Sequence, residues 1–285
     1  MHMKIKPVVK GLLTFIPGMT RILPRGHTGG TNKASYCRDV WLKHFSLLRA
    51  NGMRSLPHTL AELGPGDSIG VGLAALLSGV NRYYALDVVS FSNTGFNLAI
   101  FDELAALSKA RDTTLSEDRI SRIRNAITSP GSEHDGVTIK YIAPVSDIRS
   151  IEADSVDVIV SHAVLEHVVD PESTYRALHL WLKPGGMMSH QIDFTSHGTA
   201  EKWNGYRAYP EFLWKIIVGR RPYLINRQPC SAHVDLLKNS GFEIVSMKRI
   251  DRTDGIRRSQ LSSHWKNISD DDLVCSDLTV QARKR

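Results

Sequence analysis

The stretch Glu62-Leu63-Gly64-Pro65-Gly66-Asp67-Ser68-Ile69-Gly70 decides the fold. It follows a short apolar run at 59–63 and opens residues 67–79, which read as a helix. Glycines at 64 and 66 let the backbone approach a ligand closely, and the first turn of the following helix offers free N–H groups. A dinucleotide fingerprint spaces its glycines as G-x-G-x-x-G. Here Ile69 takes the third position and Gly70 comes one step late. The carboxylate of Glu62, on the strand before the turn, would repel a pyrophosphate and suits a ligand that carries an amino group.

Outward from this loop, short apolar runs alternate with helical stretches. The runs are 59–63, 82–87, 137–142, 156–161, 186–193 and 242–249. Helices are expected at 34–51, 67–79, 96–109, 116–128, 171–182 and 230–240. Such alternation is the pattern of an α/β fold, a mostly parallel sheet with helices on both faces. A last run, 278–283, lies close behind 242–249, as an antiparallel edge strand would. The expected division is an N-terminal arm and helix, 1–58, followed by one domain, 59–285. Within that domain 88–136 and 194–229 are too long for plain connections. The first reads as a helical insertion and the second, rich in aromatics and cations, as a lid over a substrate.

Two further acids fit a nucleoside ligand. Asp87 closes the run Tyr83-Tyr84-Ala85-Leu86 about twenty residues past the glycine loop, where a carboxylate can hold both ribose hydroxyls. Asp147 follows the run at 137–142. It can accept from an adenine amino group while the Ile148 N–H faces the ring, or it can simply cap a helix.

Then comes Ser161-His162-Ala163-Val164-Leu165-Glu166-His167-Val168 and, after a helical stretch, Leu182-Lys183-Pro184-Gly185-Gly186. In this order over roughly residues 60–193, the chain resembles the class I S-adenosylmethionine-dependent methyltransferases, in particular a small-molecule group with "LEHV" and "LKPGG" segments. The resemblance implies a Rossmann-like seven-stranded sheet with S-adenosylmethionine as cofactor. Its expected lining is Glu62, Gly64, Pro65 and Gly66 at the methionine moiety, Asp87 and Val88 at the ribose, and Asp147 and Ile148 at the adenine. Ser161 and His162 would face the reactive sulfonium. Ser68 stands where many members have a third glycine.

A hydroxyl acceptor benefits from a base, and neutral histidine can take its proton. His190 or His162 is the expected base, with Asp193 as its orienting partner. Metal binding by His162, Glu166, His167, Asp193 and His197 is not expected, because adjacent Glu166 and His167 on a helix would point about 100° apart. More loosely, His190-Gln191-Ile192-Asp193, the Trp/Tyr-rich lid and Asn226-Arg227 resemble methyltransferases of bacterial polysaccharide biosynthesis. That likeness implies O-methylation of a sugar hydroxyl. The alternatives are an RNA methyltransferase and a non-catalytic S-adenosylmethionine-binding module. Ser161-His162-Ala163-Val164 lacks the Asn/Asp-Pro-Pro-aromatic motif of amino-methylating nucleic-acid enzymes, so nucleic acid is not the expected partner.

The net charge of +7 over 285 residues is unevenly placed. Residues 1–60 hold ten Lys/Arg against the lone acid Asp39, so the rest of the chain is slightly acidic. Beside those cations lies the apolar run Val8-Val9 and Leu12-Leu13 with Phe15-Ile16. Residues 1–25 therefore read as a short interfacial anchor for an anionic membrane surface. In the lid, Arg220, Arg221 and Arg227 are expected to clamp a phosphate. The implied acceptor is an anionic small molecule or glycan, such as a sugar nucleotide or a lipid-linked sugar. Three scattered cysteines offer no disulfide or metal spacing, which fits a cytoplasmic protein.

Overall fold

Thr59–Leu63 (β1) and Arg82–Leu86 (β2) are apolar runs buried along almost their whole length, as parallel strands covered on both faces must be. In the computed structural model, which describes residues 4–19, 29–90, 93–110, 115–145, 147–221 and 223–285, they lie at the centre of an eight-stranded sheet. The remaining strands are Glu133–His134 (β3), Val137–Ile142 (β4), Val156–His162 (β5), Leu182–Asp193 (β6), Phe242–Asp251 (β7) and Cys275–Lys284 (β8). Their order is β3-β4-β2-β1-β5-β6-β8-β7, with β4, β2, β1, β5 and β6 mutually parallel.

Two features depart from the expected seven strands. The two-residue β3 turns back on β4 through Asp135-Gly136, both at positive φ, and makes the eighth strand. The last strand, β8, is antiparallel as expected but lies inside the sheet, between β6 and β7. It is buried along most of its length, which an edge strand would not be. The "LKPGG" segment belongs to β6 itself: Leu182 pairs with Val156, then the register shifts before Met187 pairs with Val158. Lys183 reaches the Asp157 carboxylate at 2.6 Å, and the other oxygen of Asp157 accepts the His58 and Thr59 N–H groups. This motif closes the N-terminal edge of the sheet.

Helices Ala34–Ala50 (α2), Gly70–Leu77 (α3), Thr94–Lys109 (α4) and Glu117–Thr128 (α5) cover one face. Pro171–Trp181 (α6) and Cys230–Asn239 (α8) cover the other. In α2 the buried residues Ala34, Cys37, Val40, Trp41, His44 and Leu48 repeat at helical spacing, and they join the same core as β1 and β2. The helix expected in the arm is thus part of the central core, and the core crosses the expected division at residue 58. The insertion at 88–136 likewise packs α4 and α5 into that core through Phe101, Leu104, Ile120 and Ile123.

Residues 194–229 carry the helix Glu211–Val218 (α7) and build a small core of their own from Tyr206, Tyr209, Trp214, Ile217 and Ile225. Of the aromatics expected to roof a substrate, Tyr206, Tyr209 and Trp214 are buried there and Phe194 and Trp203 are buried elsewhere, while Phe212 and Tyr223 are exposed. Ile5–Leu13 (α1) docks on α7 at Gly11, where any Cβ would collide with the Ile216 and Ile217 carbonyl oxygens. Val8 enters the small core, while Ile5, Val9, Leu12, Phe15 and Ile16 stay exposed. Residues 1–3 and 20–25 of the expected anchor lie outside the described residues.

Candidate active site

The C-terminal ends of β1, β2, β4, β5 and β6 meet at one edge of the sheet, where open α/β sheets bind their ligands. The β1–α3 loop stands there with Gly64 at φ 62° and Gly66 at φ 76°, backbone that residues with a Cβ rarely adopt. A Cβ on Gly64 would also run into Val164. Glu62 is buried beneath the loop, accepts a hydrogen bond from the Tyr83 hydroxyl, and is raised to about 7, chiefly by burial. Asp87 is buried at the end of β2. Its carboxylate accepts the Val88 N–H at 2.7 Å and is also bonded by the Gly66 N–H, which ties the acid to the glycine loop. Burial still raises it above the ordinary carboxylate range.

The third expected acid is arranged differently. Asp147 caps the 3₁₀ turn Ile148–Ser150 by accepting the Arg149 N–H at 2.8 Å, and it pairs with the Arg149 guanidinium at 2.9 Å. Ile148 is exposed, and its carbonyl accepts from the Trp181 indole at 2.6 Å. The capping role open in the sequence is therefore the one its side chain makes.

The two candidate bases lie on opposite faces of the sheet. His190 has no exposed surface; its Nδ1 is 2.7 Å from the Ser161 hydroxyl, and burial lowers it to about 3. Its Nε2 has no hydrogen-bond partner. A ring sealed in this way cannot take a proton from an acceptor, so His190 is not the base and Ser161 is turned into the core with it. Nor is its expected partnership with Asp193 made. The Asp193 carboxylate instead accepts the Thr195 N–H at 2.7 Å and lies 3.5 Å from His197 Nε2.

His162, at the end of β5, is only partly buried. Its Nδ1 lies 3.2 Å from Nε2 of His44 on α2, and His44 Nδ1 lies 2.8 Å from the Ser189 hydroxyl. Gln281 donates to that hydroxyl at 3.1 Å. In one tautomeric arrangement His44 donates to Ser189 and accepts from His162, which frees the Nε2 lone pair of His162. Burial and then Lys43 lower His162 to about 4, so the ring is neutral near pH 7. The next residue, Ala163, holds φ 55°, a strained conformation at the strand end. Tyr36 meets the His162 ring edge-on, with centroids 6.1 Å apart.

Sequence reasoning missed both His44 and Tyr36. The available signal for His44 was a polar residue in the apolar stripe of α2. Tyr36 carries no pattern of its own.

Among the described residues, the ligand atoms of Glu166, His167 and His197 lie within 4.8 Å of one another, an arrangement that can hold a metal ion. Both oxygens of Glu166 are buried without a hydrogen-bond partner, and burial raises its carboxyl well above the usual range. The expected divergence of Glu166 and His167 does not keep them apart, because they sit on a 3₁₀ turn and His197 arrives from the segment after β6. A cavity of about 1130 Å³ lined by Arg49, Arg54, Lys183 and Arg283 lies at the opposite edge of the sheet and takes no part in this site.

Residues 92–189 match a family described as a methyltransferase domain. Over 155 residues the chain is 29% identical to the ubiquinone biosynthesis O-methyltransferase of Ruegeria pomeroyi, covering 54% of this chain and 58% of that protein. The chain thus spans little more than half the length of that relative. Among solved structures, a methyltransferase of Methanosarcina mazei is 15% identical with a TM-score of 0.48, over 83% of this chain and 96% of that one. One from Mesorhizobium loti is 18% identical with a TM-score of 0.45, over 84% and 97%.

Residues 92–189 thus resemble a methyltransferase domain, and the sheet that carries them is a Rossmann-like one with the glycine loop at the C-terminal end of its first strand. The chain's glycine loop, at positive φ at Gly64 and Gly66, with the buried carboxylates of Glu62 and Asp87 beside it, fits S-adenosylmethionine as the cofactor.

Proposed function

We propose that this protein transfers a methyl group from S-adenosylmethionine to a hydroxyl of an anionic small-molecule or glycan acceptor, a sugar nucleotide or lipid-linked sugar. The observation that carries the reading is the neutral, partly exposed His162 at the end of β5, backed by His44 and Ser189. The cofactor, when bound, supplies an electrophilic methyl group. The chain's own work is to hold the acceptor in line and accept its proton at His162 Nε2. Transfer to oxygen agrees with the printed name of the Ruegeria relative.

The acceptor is best met at an anionic membrane surface. Ile5, Val9, Leu12 and Ile16 recur at helical spacing along the exposed face of α1 and the turn after it, flanked by Lys4, Lys6 and Lys10. That combination suits burial among headgroups with attraction to their charge. No helix among the described residues is long and apolar enough to cross a membrane. The test is an activity screen with labelled S-adenosylmethionine against sugar nucleotides, lipid-linked glycans and RNA. Label only in RNA, or S-adenosylmethionine binding with no transfer to any acceptor, would replace this reading.

A further inference from the structure

We propose that Arg207 and Arg227 form a closed oxyanion site that recognises the carboxylate or phosphate of the methyl acceptor. The inference rests on the transferase reading above and names the group that makes the acceptor anionic. Arg207 sits in the turn Gly205–Ala208 and has no exposed surface; Arg227 precedes α8 and is 7% exposed. Arg207 gives one N–H group to the Asp272 carbonyl at 2.6 Å, and Arg227 gives one to Glu211 at 2.6 Å. Among the described residues, Nε and Nη2 of Arg207 and Nε and Nη1 of Arg227 have no partner.

The two guanidinium groups share a wall. Arg207 lies 5.7 Å and Arg227 5.6 Å from the centre of the Trp265 ring, while Trp214 covers Arg227 at 4.6 Å and Tyr206 flanks Arg207 at 5.5 Å. The Trp265 indole N–H and the Ser262 hydroxyl are buried and unpartnered as well. Asp272, whose carbonyl accepts from Arg207, has its carboxylate committed to Ser231 and Ser269. Stacking on aromatics accounts for the positions of two cations but not for their idle donors. Buried charges are almost always paired, and arginine forks match planar or tetrahedral oxyanions.

Two anchors hold the pair beside the active site. The Tyr206 hydroxyl donates to the Phe194 carbonyl at 3.1 Å, one residue past Asp193. The Asn226 side chain donates to the Leu165 and Val168 carbonyls at 2.8 and 2.9 Å, just beyond the end of β5. The sequence expectation named the wrong companions for Arg227. Arg220 stacks over Phe15, and Arg221 folds back on the Ile217 and Val218 carbonyls. Ligand reaches the pair when the segment carrying Ser262 and Trp265 swings aside.

Tryptophan fluorescence titrated with inorganic phosphate and, separately, acetate at constant ionic strength reads the site without any acceptor. A saturable change with either anion but not with chloride is expected, absent in Trp265→Phe, and phosphate or acetate preference names the group. Arg227→Met should weaken the anion at least tenfold and Arg227→Lys by less, with S-adenosylmethionine affinity by calorimetry unchanged as the control for folding. If Arg207→Met unfolds, Arg207→Lys takes its place. No saturable response in the wild-type protein, or equal affinity in Arg227→Met, overturns the proposal. Failure to bind S-adenosylmethionine would instead sink the transferase reading, since the fluorescence result does not depend on it.

Discussion

His44 Nε2 lies 3.2 Å from His162 Nδ1, so a helix that precedes the Rossmann-like strands reaches over the sheet to orient the ring at the end of β5. The His44 ring is itself fixed at 2.8 Å by Ser189 on β6. Burial lowers His44 well below the ordinary imidazole range and lowers His162 to about 4. Both rings are then neutral across the physiological range, as a proton acceptor and its support must be. By NMR, His162 should titrate near 4; a midpoint well above 7 would leave the ring mostly charged at neutral pH and remove the argument. In the labelled assay His162→Ala should cost ~10²–10⁴-fold in turnover. His190→Gln should cost far less, because His190 touches no acceptor.

If Asp87 holds the ribose, cofactor affinity should depend on it. A hydrogen bond to a charged group is worth about 1.5–3 kcal/mol, so Asp87→Ala should weaken S-adenosylmethionine roughly 10- to 150-fold. Calorimetry without added metal reads this directly. Unchanged affinity would take Asp87 out of the ribose-binding role.

If Glu62 meets the ligand's amino group, that affinity should depend on pH. Burial raises its carboxyl to about 7, and a ligand amino group favours the ionised form. Below pH 7 binding must expel the Glu62 proton; above it the carboxylate is already charged. Affinity should therefore rise with pH up to about 7 and then level off. Titrations at pH 6 in buffers of different ionisation heat should show proton release on binding, and those at pH 8 none.

Stability should fall in mild acid. Burial holds His190 near 3 and His233 near 4, against an unfolded value near 6.5. Below pH 6.5 the unfolded chain binds protons that the folded one refuses, so this stability is complete above 6.5 and is lost as pH falls towards the folded values. Each such ring adds a slope of up to about 1.4 kcal/mol per pH unit. His44, His162 and His167 act in the same direction, while the raised Glu62 and Glu166 oppose them. With histidines in the majority, the urea midpoint should drop between pH 6.5 and 5. A constant midpoint would mean these rings are not buried neutral.

The exposed face of α1 should bring the protein to anionic vesicles at low salt. Each basic residue near such a surface adds about 1 kcal/mol, so high salt or neutral lipid should release it. Val9→Glu with Leu12→Glu should abolish flotation without unfolding the chain, since both side chains face solvent. A wild-type chain that stays in the soluble fraction would show that α1 serves only to dock on α7.

Local pattern made most of this molecule readable. Apolar runs gave β1 and β4 to the residue, because each run rich in apolar and β-branched residues is ended sharply by turn residues. The glycine loop, Glu62 and Asp87 were legible for a similar reason: their chemistry is carried by neighbours in sequence. Tertiary structure alone decided what requires two distant segments. Strand alternation put His190 and His162 on opposite faces, so only one of these two borders the crevice, and its partner His44 lies 118 residues away. β8 slipped inside the sheet because pairing order is set by packing across the whole layer, not by nearness in sequence. The lid's cations were countable from sequence, but which of them turned inward was not. Arg220 stacks on Phe15 just past α1 and Arg221 folds back on α7, while Arg207 and Arg227 both lie against Trp265 with part of their donors unpartnered among the described residues.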